Sequence, residues 1–173
     1  MQTMKFFAIL VAAATEMAAE TVPTRKLVVN IPERKMAVVE DGKVVKVYQV
    51  AVGKKSTPSP TGVFHIASHV ANPTYSHEGK VVGPGPTNPV GTRWMGLGFK
   101  GYGVHGTNHP ESIGHAASHG CIRMRNQDVE ELFSLMRVGD EVDLLTDITP
   151  EIASLFADRA AVQVATVHAG GLQ

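Results

Sequence analysis

From about residue 24 the chain alternates apolar and polar positions in short runs, the period of half-buried β-strands. Leu27, Val29 and Ile31 alternate with polar or smaller neighbours, and Pro32-Glu33 breaks the run. Met36 and Val38 continue the alternation, and Asp41-Gly42 supplies a two-residue hairpin turn. Val44 to Val52 is rich in β-branched residues and lacks a helical stripe, so it reads as a further strand. Gly53 to Pro60 is a loop, and Gly62 to Val70 reads as one strand. Arg93–Phe99 and Tyr102–His105 read as two short strands around Gly101.

The pattern changes twice. Residues 71–91 carry Asn72-Pro73, Gly83-Pro84-Gly85-Pro86 and Asn88-Pro89, and loops of this length in a compact domain tend to be lids or binding loops. Further on, Val129, Leu132, Phe133 and Met136 recur at helical spacing, with Asn126 as the expected cap, Asp128 in the first turn and Gly139 at the end. Val142 and Leu144 then form a last strand. Thr149-Pro150 opens a second helix with Ile152, Leu155 and Phe156 on one face. The expected class is mainly β, sandwich- or barrel-like, with one clear helix.

Composition narrows the function. With 43% hydrophobic and 18% charged residues among 173, the chain has enough apolar material for one packed domain. Formal net charge is +0 and no basic run stands out, which makes nucleic acid a poor partner. Lys5, the apolar run Phe6–Ala14 and the small residues through Ala19 have the form of a secretory signal, too short to span a bilayer. The organisation expected is a signal over 1–19, a catalytic domain over 25–146 and a helical extension over 147–173. An exported protein, in a periplasm or cell envelope and without a lasting membrane span, follows from that signal.

Export sharpens the position of the single cysteine, Cys121, because one thiol makes no internal disulfide and no C-x-x-C site. In an oxidising compartment it is a liability unless buried or used. It lies in Ser118-His119-Gly120-Cys121-Ile122-Arg123, sixteen positions after His105-Gly106. A thiol attacks a carbonyl as thiolate, and histidine is its usual proton acceptor. In an extended strand His119 and Cys121 would share a face, and His105 on a neighbouring strand would reach the same place. The amides of Gly120 and Cys121 could meet an oxyanion. The competing reading is an inert, packed cysteine. His109 and His115 could extend the set to a metal site, but solvent-facing loop histidines are the better expectation; no metal and no cofactor are called for. Trp94 reads as core rather than groove wall.

Val104-His105-Gly106-Thr107-Asn108 together with Ser118-His119-Gly120-Cys121-Ile122-Arg123-Met124 resembles the active-site block of the L,D-transpeptidase catalytic domain, also called the YkuD domain. Thr57-Pro58-Ser59-Pro60-Thr61-Gly62-Val63-Phe64 and Asn88-Pro89-Val90-Gly91 resemble other stretches of that family, and the likeness covers roughly 25–146. The resemblance implies a peptidoglycan enzyme acting on stem peptides. Cys121 would attack the carbonyl between the third-position diamino acid and D-Ala, form a thioester, and pass the acyl group to an amine of a second stem or an acceptor protein. His105 would be general base and acid, with Ser118, His119, Gly120 and Arg123 lining the nucleophile, and Arg123 structural or carboxylate-binding. The alternatives are an L,D-carboxypeptidase using water and, in another class, a zinc-binding or non-catalytic envelope-binding domain. Two positions depart from part of the family: Arg123 stands where some members have Asn, and Gly106 where some have Ser. With no hydroxyl at 106, a backbone carbonyl must orient His105.

Overall fold

The hairpin expected at Asp41-Gly42 forms with positive φ at both residues, 48° and 77°, joining β2 (Lys35–Glu40) to β3 (Lys43–Gln49). The structure, a computed structural model, describes residues 23–99 and 101–157. The segment read as a signal, 1–19, and the end of the extension, 158–173, lie outside the described residues.

Strand β1 (Arg25–Asn30) is central to a five-stranded sheet ordered β3-β2-β1-β13-β5, with β5 spanning Gly62–His65 and β13 Glu141–Leu145. The β1–β13 pair is parallel and the others are antiparallel. Strand alternation divides the side chains between two faces. Leu27, Val29, Met36, Val38, Val142 and Leu144 enter the main core, while Val28, Ala37 and Val39 face a second, smaller cluster with Phe156. Phe156 comes from the second helix, which occupies 150–157 and covers that outer face with Ile152 and Leu155.

Two runs expected as single strands are divided. Gly62–Val70 becomes β5 and β6 (Ser68–Ala71), which belong to different sheets. Between them the Ile66 amide bonds Asp140 O in one direction and the Ala67 amide bonds Gly96 O in the other, so the chain changes sheets at this corner. Val44–Val52 likewise ends as β3 at Gln49 and resumes as β4 (Val52–Gly53), which pairs with β11 (Ala116–Ser118). Periodicity cannot register such a switch, because alternation continues through it.

The second sheet is ordered β12-β10-β9-β6, with β9 Arg93–Gly96, β10 Gly103–His105 and β12 Ile122–Arg123. Its Met95, Val104 and Ile122 meet the first sheet and Val129 and Leu132 of helix α1 (Asn126–Leu135) in the main core. The expected cap of α1 is corrected: Arg125 holds the cap position, without a side-chain bond, and the Asn126 side chain is used elsewhere. The helix closes at Met136, whose amide bonds Leu132 O, and Gly139 (φ 98°) turns the chain afterwards. Within 71–91 a small hairpin forms, β7 (Tyr75–His77) with β8 (Lys80–Val82).

Candidate active site

Strands β10 and β12 run parallel, with Val104 opposite Ile122 and His105 opposite Arg123. Cys121 sits in the bend immediately before β12, with its thiol beside the Gly103 amide, two residues before His105 on β10. The chain does return after His105 to a neighbouring strand, but it is Arg123 that pairs with His105 there, and Cys121 lies in the bend leading into that strand. Cys121, His105, Ser118, His119 and Arg123 all line one cavity of about 790 Å³. Pro73–Glu78 and Pro89-Val90 of the 71–91 segment form its opposite wall.

His105 is 4% exposed. Its Nδ1 lies 2.6 Å from Gly106 O, and since a carbonyl only accepts, Nδ1 carries the proton and donates. This is the backbone orientation expected from glycine at position 106. Nε2 keeps its lone pair. Burial drives the imidazole pKa down to about 4, with the Arg123 charge adding to the fall and the Gly106 bond opposing it. Trp94, opposite His105 in the β9–β10 pairing, stacks on its ring at 5.5 Å between centroids. Trp94 also lines the cavity, so it is groove wall as well as packing, contrary to the reading of it as core.

The thiol of Cys121 is partly exposed and donates to Gly101 O at 3.2 Å. Burial pushes its pKa up, while the Gly103 amide and Arg123 pull the other way. The resting pair is therefore a neutral thiol and a neutral imidazole. Arg123 is the one cation of the site core whose field favours thiolate, and among the described residues no carboxylate pairs with it.

The segment before the cysteine is not the extended strand imagined for it. Residues 119–121 form bends, and Gly120 has φ +114°, so His119 and Cys121 do not share a strand face. His119 is exposed at the cavity rim. At Gly120 a Cβ would lie 2.6 Å from the Tyr102 ring, so both the dihedral and the close approach demand glycine. Ser118 is fully buried, accepting from the Gly120 amide at 3.0 Å and donating to Cys121 O at 2.6 Å. The hydroxyl braces the turn that presents the thiol. It also occupies the Gly120 amide, which narrows the expected pair of oxyanion donors to the Cys121 amide.

The turn is held from below by the Thr57 segment. Ser118 O accepts from the Lys54 amide (3.1 Å) and Thr57 Oγ1 (3.2 Å), and Ala51 exchanges two 2.9 Å backbone bonds with Arg123. Sequence reading missed Asn88, which is fully buried at the base of the lid. Its Nδ2 donates to Pro73 O (2.7 Å) and Gly83 O (3.1 Å), and its Oδ1 accepts from the Val90 amide (3.0 Å). The only signal was its place in Asn88-Pro89-Val90-Gly91. His109 pairs with Glu111 on the surface at 2.9 Å, His115 is exposed, and among the described residues no three His, Cys, Asp or Glu side chains gather as a metal site would need.

A thiol, an imidazole whose Nδ1 is held by a backbone carbonyl and a fixed backbone turn all line one cavity. The chain matches the profile of the YkuD L,D-transpeptidase catalytic domain over residues 24–144 and belongs to that family. It is 43% identical over 126 residues to YqjB of Bacillus subtilis, named as an L,D-transpeptidase, covering 70% of each chain. The catalytic domain of the Enterococcus faecium L,D-transpeptidase superposes with TM-score 0.59 at 26% identity, over 72% of this chain and 99% of that one. An L,D-transpeptidase from Mycobacterium smegmatis shares the fold, with TM-score 0.62 at 20% identity. The match covers 72% of this chain but 59% of the mycobacterial one.

Proposed function

We propose that this protein is a peptidoglycan L,D-transpeptidase in which Cys121 is the nucleophile and His105 the general base and acid. The observation that carries the reading is that Cys121, just before β12, and His105, on its partner strand β10, line one cavity. The donor is a tetrapeptide stem, bound so that the carbonyl between its third-position diamino acid and D-Ala meets the thiol. As the sulfur–carbon bond forms, the thiol proton passes to Nε2 of His105. The carbon–nitrogen bond then breaks and D-Ala leaves as the amine, taking that proton. An amine of a second stem or of an acceptor protein attacks the thioester, its nitrogen–carbon bond replaces the carbon–sulfur bond, and its proton returns through His105 to the thiol.

The neutral resting pair suits this order of events, because charge develops only when the carbonyl is in place. The Cys121 amide is the donor aimed at the developing oxyanion, a contribution of about 3 kcal/mol in comparable sites. Ser118 and Gly120 hold and permit the turn, and Arg123 stabilises the thiolate as it forms. His119 contacts substrate from the rim. The family's substrate and the form of the first residues support export to the periplasm or cell envelope, with the domain over 25–146 carrying the activity.

The deciding experiment is Cys121→Ala with purified protein and tetrapeptide stems. Loss of D-Ala release with an unchanged circular dichroism spectrum is expected; continued release would sink the assignment. Supplying an amine acceptor in the same assay separates transfer from hydrolysis by the mass of the product.

A further inference from the structure

Asn126 opens helix α1, where its side chain would ordinarily be read as a cap. Instead its Oδ1 accepts from two amides outside the helix, Thr107 at 3.2 Å and Thr92 at 3.2 Å. The Thr107 N–H and the Gly106 C=O are the two ends of one planar peptide unit. The carbonyl end of that unit is the acceptor for His105 Nδ1, 2.6 Å away. Asn126 and His105 therefore grip opposite edges of a single plane. The contact is close: a Cβ on Gly106 or on Gly91 would collide with Asn126 Oδ1.

We propose that Asn126 is a positioning residue for His105, acting through the 106–107 peptide. By holding the Thr107 N–H it fixes the plane of that peptide and keeps the Gly106 carbonyl turned toward the imidazole. That carbonyl holds the proton on Nδ1 and leaves Nε2 as the unprotonated acceptor of a ring that lines the cavity. Released from Asn126, the peptide can rotate, and the ring loses the partner that selects its tautomer. A histidine in the wrong tautomer presents N–H, not a lone pair, to the thiol. The second bond extends the reach of the same side chain. Thr92 O accepts from the Asn72 amide at 2.8 Å, so the two ends of the 71–91 lid are joined at the residue that Asn126 also holds. Base and lid are thus referred to one oxygen atom.

The inference rests on the reading of His105 as the base, and the test separates the two. Protein labelled with ¹⁵N-histidine reports the His105 tautomer directly, and imipenem acylation of Cys121, followed by intact mass, reports reactivity. Asn126→Ala is expected to populate the Nε2–H tautomer and slow acylation by roughly 10- to 100-fold. Asn126→Asp keeps an oxygen acceptor and is expected to retain the Nδ1–H tautomer and close to the wild-type rate. An Asn126→Ala protein that keeps the wild-type tautomer overturns the proposal, as does an Asn126→Asp protein impaired like the alanine variant. If Asn126→Ala does not fold, Asn126→Asp decides alone: retention of the tautomer supports the proposal and its loss overturns it. Should the tautomer shift while acylation stays at the wild-type rate in both Asn126→Ala and His105→Gln, the positioning role stands and the base assignment falls.

Discussion

At the scale of single residues, burial favours the uncharged forms of both His105 and Cys121, lowering the imidazole pKa and raising that of the thiol. His105 is buried, and its pKa is depressed from 6.5 to about 4. A histidine depressed on folding contributes stability that is fully present above pH 6.5 and is lost as pH falls toward 4, because between those values the unfolded chain binds the extra proton. The interval from 6.5 to about 4 corresponds to about 3 kcal/mol. His105→Gln should remove that dependence. Urea unfolding at pH 7 and pH 4.5 is expected to show a wild-type stability that drops with acid and a variant that drops less; equal drops would contradict the depressed value. Much at this scale was legible in the sequence. The lone thiol, the two His-Gly pairs and the glycine at 106 pointed to the dyad and to a backbone partner for His105. That His119 stands at the cavity rim rather than sharing a face with Cys121 was not legible, because whether i and i+2 share a face depends on Gly120 being extended, and it is not.

At the scale of elements, the segment 71–91 is a cavity wall with a definite construction. Strand β7 and Glu78 of the β7–β8 hairpin line the cavity that Cys121 also lines, and Asn88 ties the ends of the segment through bonds to Pro73, Gly83 and Val90. A buried amide making several bonds is costly to remove because its partners are left unpaired. Asn88→Ala is expected to free the lid while the sheets stay intact. Limited proteolysis should then cut within 73–90, and KM for the stem peptide should rise more than kcat falls. An unchanged digestion pattern would show that the lid does not depend on this side chain. The Pro/Gly spacing marked the segment as an expected lid or binding loop, and part of it lines the cavity. It could not mark Asn88 as its clamp, since one asparagine among turn residues looks like any other until its burial is known. The same holds for Asn126, whose position suited a helix cap and whose oxygen serves the peptide behind His105.

At the scale of the molecule, two sheets share a core to which helix α1 contributes, and the five-stranded sheet has its second face covered by the helix at 150–157. Phe156 is 7% exposed against Val28, Ala37 and Val39. Phe156→Ala is expected to cost about 3 kcal/mol, read as a lowered urea midpoint, with D-Ala release at 25 °C retained because the site lies across the other sheet. A midpoint unchanged from wild type would mean that the helix contributes nothing to the fold. Sequence alone determined β1, β2 and β13 of the first sheet, the helix α1 and the hairpin at Asp41-Gly42, because each is written in local periodicity or turn chemistry, and a short motif singled out Cys121 and His105 as candidates. Only the tertiary structure decided where strands change sheets, that Trp94 walls the groove, that Ser118 takes the Gly120 amide, that Asn88 ties the ends of the 71–91 segment, and that Asn126 bonds the Thr92 and Thr107 amides. These are matters of which distant backbone group a side chain meets, and alternation along the chain carries no record of them.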